Sequence, residues 1–182
     1  TLRTDGSLND ASVVLTNAEA TVAGVRRAFA RVAAEAGPQD TFMFFFSGHG
    51  DQSDAAVSGL EPDGKSEAIV LRDGQISDTE MAQLFGSLRT RLSLLVIDSC
   101  FSGAGGRSVI ARGTRPLVNV AQKKPVSDSI VVLAAASGEQ ISSFYQEKGH
   151  GLLTYFFLKG LQGAADEDKD GAVELGELFD YV

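Results

Sequence analysis

The sequence predicts an α/β domain, a mainly parallel central sheet flanked by helices. Three strand-length apolar runs carry the prediction: Thr41–Phe46 (TFMFFF), Leu92–Ile97 (LSLLVI) and Ser129–Ala136 (SIVVLAAA). Runs that stay apolar instead of alternating mark strands buried on both faces. Between the runs lie segments of helical periodicity, and strands alternating with helices imply a sheet covered on both sides. At 182 residues the chain suits one domain with a real core.

Taken in order, Ser12–Thr16 (SVVLT) reads as a short strand. Asn17 is then placed to cap a helix to about Ala36, with Val22, Val25, Phe29 and Val32 at helical spacing and Gly37-Pro38 as its stop. Thr41–Phe46 follows and ends at Ser47-Gly48-His49-Gly50. A polar loop rich in Gly and Asp runs to about Ser66, Glu67–Leu71 is a strand, and Asp73-Gly74 a turn. Ser77-Asp78-Thr79-Glu80 has the form of a capping box and opens a helix to about Leu88. The strand Leu92–Ile97 ends at Asp98-Ser99-Cys100. After Ser129–Ala136, helices are expected over Leu152–Leu161 and from Leu175 to Val182.

Composition narrows the function. A net charge of −8 argues against nucleic acid as a partner, because phosphate binding needs a basic face. No apolar run reaches the roughly 18 residues of a membrane span, and no basic-then-apolar leader opens the chain. A cytoplasmic protein without a membrane partner is expected. The single cysteine rules out an internal disulfide and leaves either a buried apolar residue or a reactive thiol.

Position decides for the thiol. Ligands bind beyond the carboxyl ends of strands in open parallel sheets. One apolar strand here ends at His49 and another at Cys100, so neighbouring strands would bring the two together. A thiol of pKa about 8.5 is mostly protonated at neutral pH, and an imidazole can take its proton and later return it to a leaving amine. Gly48 and Gly50 flank His49, and Gly103 follows Cys100, so a substrate backbone can come close. The backbone N–H groups of Gly50 and Cys100 are candidates for an oxyanion hole.

The stretches Phe46-Ser-Gly-His-Gly-Asp-Gln52 and Asp98-Ser-Cys-Phe-Ser-Gly103 resemble the paired S-G-H-G and D-x-C-x-S-G motifs of metacaspases and orthocaspases. The separation of His49 and Cys100 is also similar to the roughly 50-residue spacing of caspases. Looser similarity, in the strands Glu67–Leu71 and Ile130–Ala135, extends the resemblance over most of residues 12–182. It implies a caspase-like three-layer sandwich and a cysteine endopeptidase with a His49/Cys100 dyad. A large-subunit-like part would span about 1–103, a linker about 104–128 and a small-subunit-like part about 129–182. The family's first strand and helix would precede Ser12.

Caspases that cut after Asp carry Gln-Ala before the cysteine, whereas this chain has Asp98-Ser99. Metacaspases have an acid at the position of Asp98, and the resemblance implies that it binds substrate Arg or Lys, with Ser47 lining the same pocket. A carboxylate in a partly closed pocket suits a guanidinium; its other use is to cap a following helix or orient a loop. Expected substrates are proteins or peptides with basic residues. The stretch Gly103–Asp128 carries Arg107, Arg112, Arg115, Lys123 and Lys124 in an otherwise acidic protein, and is a candidate for self-cleavage. The alternatives are a non-catalytic caspase-like module that binds partners or calcium, and an Asp-specific caspase.

Asp166 to Glu177 fits the twelve-residue calcium-loop template, with Asp166, Asp168 and Asp170 at positions 1, 3 and 5, Gly171 at 6 and Glu177 at 12. The carbonyl of Ala172 would fill position 7. Calcium is the expected cofactor, and no organic cofactor is expected. Asp78 resembles part of a different acidic cluster that metacaspases use for calcium, but Thr79 and Arg107 stand where further acids belong. His150, also between glycines, precedes a helix instead of ending an apolar strand, and is read as loop or cleft lining.

Overall fold

The computed structural model describes residues 12–54, 65–101, 130–134, 144–145 and 150–182. The expected linker 104–128 and the tip of the polar loop lie outside the described residues. Five strands form one sheet: β1 (Thr41–Asp54), β2 (Lys65–Leu71), β3 (Gly74–Ser77), β4 (Leu92–Phe101) and β5 (Ile130–Ala134), in the order β3-β2-β1-β4-β5. The β1–β4 and β4–β5 ladders are parallel, and the β1–β2 and β2–β3 ladders antiparallel. The sheet is therefore mixed, with a parallel centre and an antiparallel edge.

Strand β4 fixes the layers. Leu95 and Ile97 join the core beneath α1 (Val22–Glu35) and α2 (Asp78–Gly86), while Leu94 and Val96 join the core beneath α3 (Leu152–Lys159) and α4 (Leu175–Tyr181). This alternation is the two-residue period of a strand between two helical layers. All four side chains are buried, as the unbroken apolar run predicts. Strand β1 is only half-covered: Phe42, Phe44 and Phe46 pack toward α1 and α2, whereas Phe45, on the other face, is 37% exposed. The α1/α2 side is aromatic, with Phe29 5.4 Å from Phe42, 5.5 Å from Phe44 and 5.3 Å from Phe85 between ring centroids.

Several boundaries differ from the sequence reading. Ser12–Thr16 is not a strand, and Val13 and Val14 are exposed. Asn17 does not cap α1. It opens a short 3-10 turn with a left-handed φ of 49°, and Thr21 caps the helix instead, its side chain accepting the Gly24 N–H. Asp73 Oδ1 adds a second cap on the Val22 N–H at 2.8 Å. Ser77 caps α2 as expected by accepting the Glu80 N–H, but the Glu80 carboxylate pairs with Arg26 on α1. The short strand β3 falls between the predicted turn and that cap. Beyond the last sheet strand, β6 (Phe144–Tyr145) and β7 (His150–Gly151) form a small antiparallel ribbon leading into α3.

Candidate active site

The two predicted strand ends prove to be strand interiors. β1 continues through the Ser47-Gly48-His49-Gly50 segment to Asp54, and β4 continues through Asp98-Ser99-Cys100 to Phe101. β1 extends because it changes partner. Residues 41–50 pair with β4 and residues 49–54 pair with β2, so His49 and Gly50 are held from both sides. The register in the parallel ladder is Ser47↔Asp98, Gly48↔Ser99, His49↔Cys100 and Gly50↔Phe101. Neighbouring strands lie roughly 4.8 Å apart, so the backbones of His49 and Cys100 are fixed side by side.

The pleat separates apolar from polar work along β1. Met43 packs on the α3/α4 side, and the two-residue period brings Ser47 and His49 to that same face. Both are exposed, while Gly50 is buried. A Cβ at Gly48 would lie 2.7 Å from the tip of the Phe46 ring, so the ring would have to move to admit a side chain there. Just past His49, Asp51 Oδ2 accepts the Gln75 side-chain N–H at 2.8 Å, tying β1 to β3 across β2.

Asp98 is partly buried and already has a protein partner. Its Oδ2 accepts the backbone N–H of Thr154 at 3.2 Å and also the Thr154 hydroxyl. Thr154 is the third residue of α3, whose N-cap Gly151 has no side chain with which to cap. The carboxylate thus does for α3 what an N-cap side chain ordinarily does, satisfying an orphan helix N–H. The helix-capping use of Asp98 is realised, on a helix that follows only after β5.

A family model described as "Caspase domain" matches residues 8–182. The chain belongs to the caspase-domain family. No curated protein matches the chain. Among solved structures, a protein of Geobacter sulfurreducens, GSU0716, is 37% identical over 50% of this chain and 35% of its own, with a TM-score of 0.44. The aligned part is about a third of that protein's length. No described helix is long and apolar enough to cross a membrane.

A second cluster of acids in this caspase domain lies between α3 and α4. A π turn (Gly160–Ala164) follows α3, and the predicted calcium loop then leads into α4. Carboxylate oxygens of Asp166, Asp168 and Glu177 lie within 4.8 Å of one another; Asp170 is outside this group. Asp170 Oδ1 instead accepts the Ala172 N–H at 2.8 Å. Gly171 has φ 88°, the left-handed turn for which the sixth position needs glycine. Glu177 accepts N–H groups of Glu174, Glu167 and Asp168. The bond from Glu174 does most to hold its pKa below the ordinary glutamate value, burial opposes it, and the bonds from Glu167 and Asp168 add to the lowering. Among the described residues no donor reaches the buried Asp166 Oδ1, so the loop holds a carboxylate oxygen suited to a cation.

Sequence reasoning missed Thr154 and Gly151. Thr154 is the one hydroxyl in the run Leu152-Leu-Thr-Tyr-Phe-Phe-Leu158 apart from the Tyr155 phenol. A buried hydroxyl on an apolar helix needs a partner, and that was the available signal. His150 precedes α3 as read, but it lies in strand β7, paired with Tyr145, and not in a loop.

Proposed function

We propose that this caspase domain is a cysteine endopeptidase cutting after Arg or Lys, with Cys100 as nucleophile and His49 as acid–base partner. The observation that carries the reading is the register pairing of His49 with Cys100 on adjacent parallel strands. His49 takes the thiol proton, and the Cys100 sulfur attacks the substrate carbonyl carbon. The carbonyl π electrons move onto oxygen, where backbone N–H groups of Gly50 and Cys100 are the proposed donors. Collapse of this intermediate breaks the C–N bond; His49 protonates the departing amine and a thioester remains. Water, deprotonated by His49, then attacks the thioester and releases the carboxylic acid and the thiol.

Asp98 is the proposed partner of the substrate's basic side chain, with Ser47 beside it. Their register pairing in the β1–β4 ladder, two residues before the dyad on each strand, supports a shared pocket. A peptidase with that preference would cut itself within Gly103–Asp128, which carries Arg107, Arg112, Arg115, Lys123 and Lys124. A cation is the proposed ligand of the Asp166–Glu177 loop. Asp166, Asp168 and Glu177 would hold calcium, and Asp170 and the Ala172 carbonyl would join if the loop closes further. Calcium there would order the α3–α4 connection.

Cleavage of fluorogenic Arg, Lys and Asp peptides, each with and without calcium, tests the reading. Turnover of Arg and Lys peptides that disappears in Cys100→Ala is expected. Turnover of the Asp peptide alone, or of none by the full chain in any condition, would overturn it. For self-cleavage, wild type is expected to yield two fragments where Cys100→Ala stays whole. A fully active wild type with an uncut chain would reject that part.

A further inference from the structure

Three polar features converge at the head of α3. Asp98 stands in β4 two residues before Cys100, and its Oδ2 accepts both the N–H and the hydroxyl of Thr154. Gly151 borders the same carboxylate: a Cβ there would run into Oδ2 and lie 2.6 Å from the Asp98 Cγ and 2.7 Å from Oδ1, well inside contact distance. Thr154 is 8% exposed, so its hydroxyl depends on this carboxylate for a partner.

The two carboxylate oxygens are therefore in different situations. Oδ2 has two acceptor sites and uses both on Thr154. Oδ1 takes no hydrogen bond among the described residues. Both donors are neutral, so neither is a counter-ion of the carboxylate. Fixing one oxygen at two points also fixes the plane of the carboxylate, so the free oxygen has a set direction before anything binds. Ordering that would otherwise oppose binding is then already present.

We propose that Thr154 is a positioning residue for recognition of the substrate's basic side chain, holding Oδ2 of Asp98 so that Oδ1 alone is presented to the cation. This rests on the reading of Asp98 as that partner. A single presented oxygen makes a one-point contact with an ammonium or one guanidinium nitrogen, and cannot match the two-pronged fork of arginine. The pocket accordingly accepts lysine and arginine with comparable ease. Gly151 belongs to the same device, since any side chain there would push the carboxylate out of its seat.

The test uses the full chain with matched Arg, Lys and uncharged-residue peptides, comparing wild type, Asp98→Asn, Thr154→Val and Thr154→Ser. For Thr154→Val, KM for Arg and Lys peptides is expected to rise about tenfold, with kcat within about twofold, from loss of one bond to a charged group. Thr154→Ser keeps the hydroxyl and restores KM, and it remains informative if the valine variant does not fold: an about tenfold rise in KM in folded Thr154→Ser overturns the proposal. Asp98→Asn is expected to erase the preference for basic peptides. If that preference survives, the reading of Asp98 fails and this inference with it. If Asp98→Asn erases it but Thr154→Val leaves KM unchanged, or lowers kcat equally on basic and uncharged peptides, only the role of Thr154 is refuted.

Discussion

His49 and Cys100 are register partners in the β1–β4 ladder, one pair before its last, Gly50↔Phe101. Their separation is set by main-chain hydrogen bonding, so it does not depend on a loop. Replacing Cys100 by Ala is expected to remove turnover down to background, and His49→Ala to reduce kcat by about a thousandfold or more. Thermal unfolding of the two variants should match wild type, because alanine keeps both positions in the main-chain ladder.

The aromatic cluster under α1 is the larger mechanical support of that ladder. Phe29 is 2% exposed and meets Phe42, Phe44 and Phe85. Phe29→Ala is expected to destabilise the fold by about 3–5 kcal/mol, the cost of deleting a buried aromatic ring. Denaturant unfolding would report it as a lower midpoint at similar slope.

Much of this was legible in the sequence, for a physical reason. A strand buried between two helical layers must be apolar at every position, so Leu92–Ile97 could be read directly as β4. Its continuation through Asp98-Ser99-Cys100, and that of β1 through Ser47–Asp54, could not. Those residues are polar or glycine, and they extend because neighbouring strands supply the ladder, which local composition does not encode. The start of α1 was misplaced for a similar reason. Asn17 and Thr21 are both good caps, and the tertiary bond that the Val22 N–H donates to Asp73 favours the later one. Asp98 was legible as a charge two residues before Cys100, but its seat on Thr154 joins positions 56 apart in sequence.

Ser99 presents a contrasting case. It is 4% exposed, and its buried Oγ has no hydrogen-bond partner among the described residues. A buried hydroxyl in that state costs about 1–3 kcal/mol of desolvation. Ser99→Ala is therefore expected to leave stability unchanged or to raise it by about 1 kcal/mol. A fall in the melting temperature would mean that the hydroxyl finds a partner in solution.

The acid side of the calcium-loop proposal can be examined by pH. Glu177 is held below its ordinary pKa chiefly by the Glu174 N–H. A carboxylate whose pKa is lowered on folding contributes stability above its unfolded pKa and loses it as pH falls through the folded value. Wild type is thus expected to be more stable than Glu177→Gln at neutral pH, with the gap closing on acidification below the usual glutamate range. At neutral pH, calcium should raise the melting temperature of wild type, and raise it less in Glu177→Gln.

Strand β5 joins β4 through five register pairs, Ser93↔Ile130 to Ile97↔Ala134. Leu94 and Val96 also share one apolar core with Leu133, Leu153, Phe157 and Leu178. The two sides of any break between Phe101 and Ile130 are therefore zipped together by backbone bonds and sealed by oil. A nicked molecule would keep its hydrodynamic size in gel filtration and resolve into two bands only in detergent. Peptide-bond cleavage in that interval would then act as a change of tether, giving the chain two new ends while the particle stays one body.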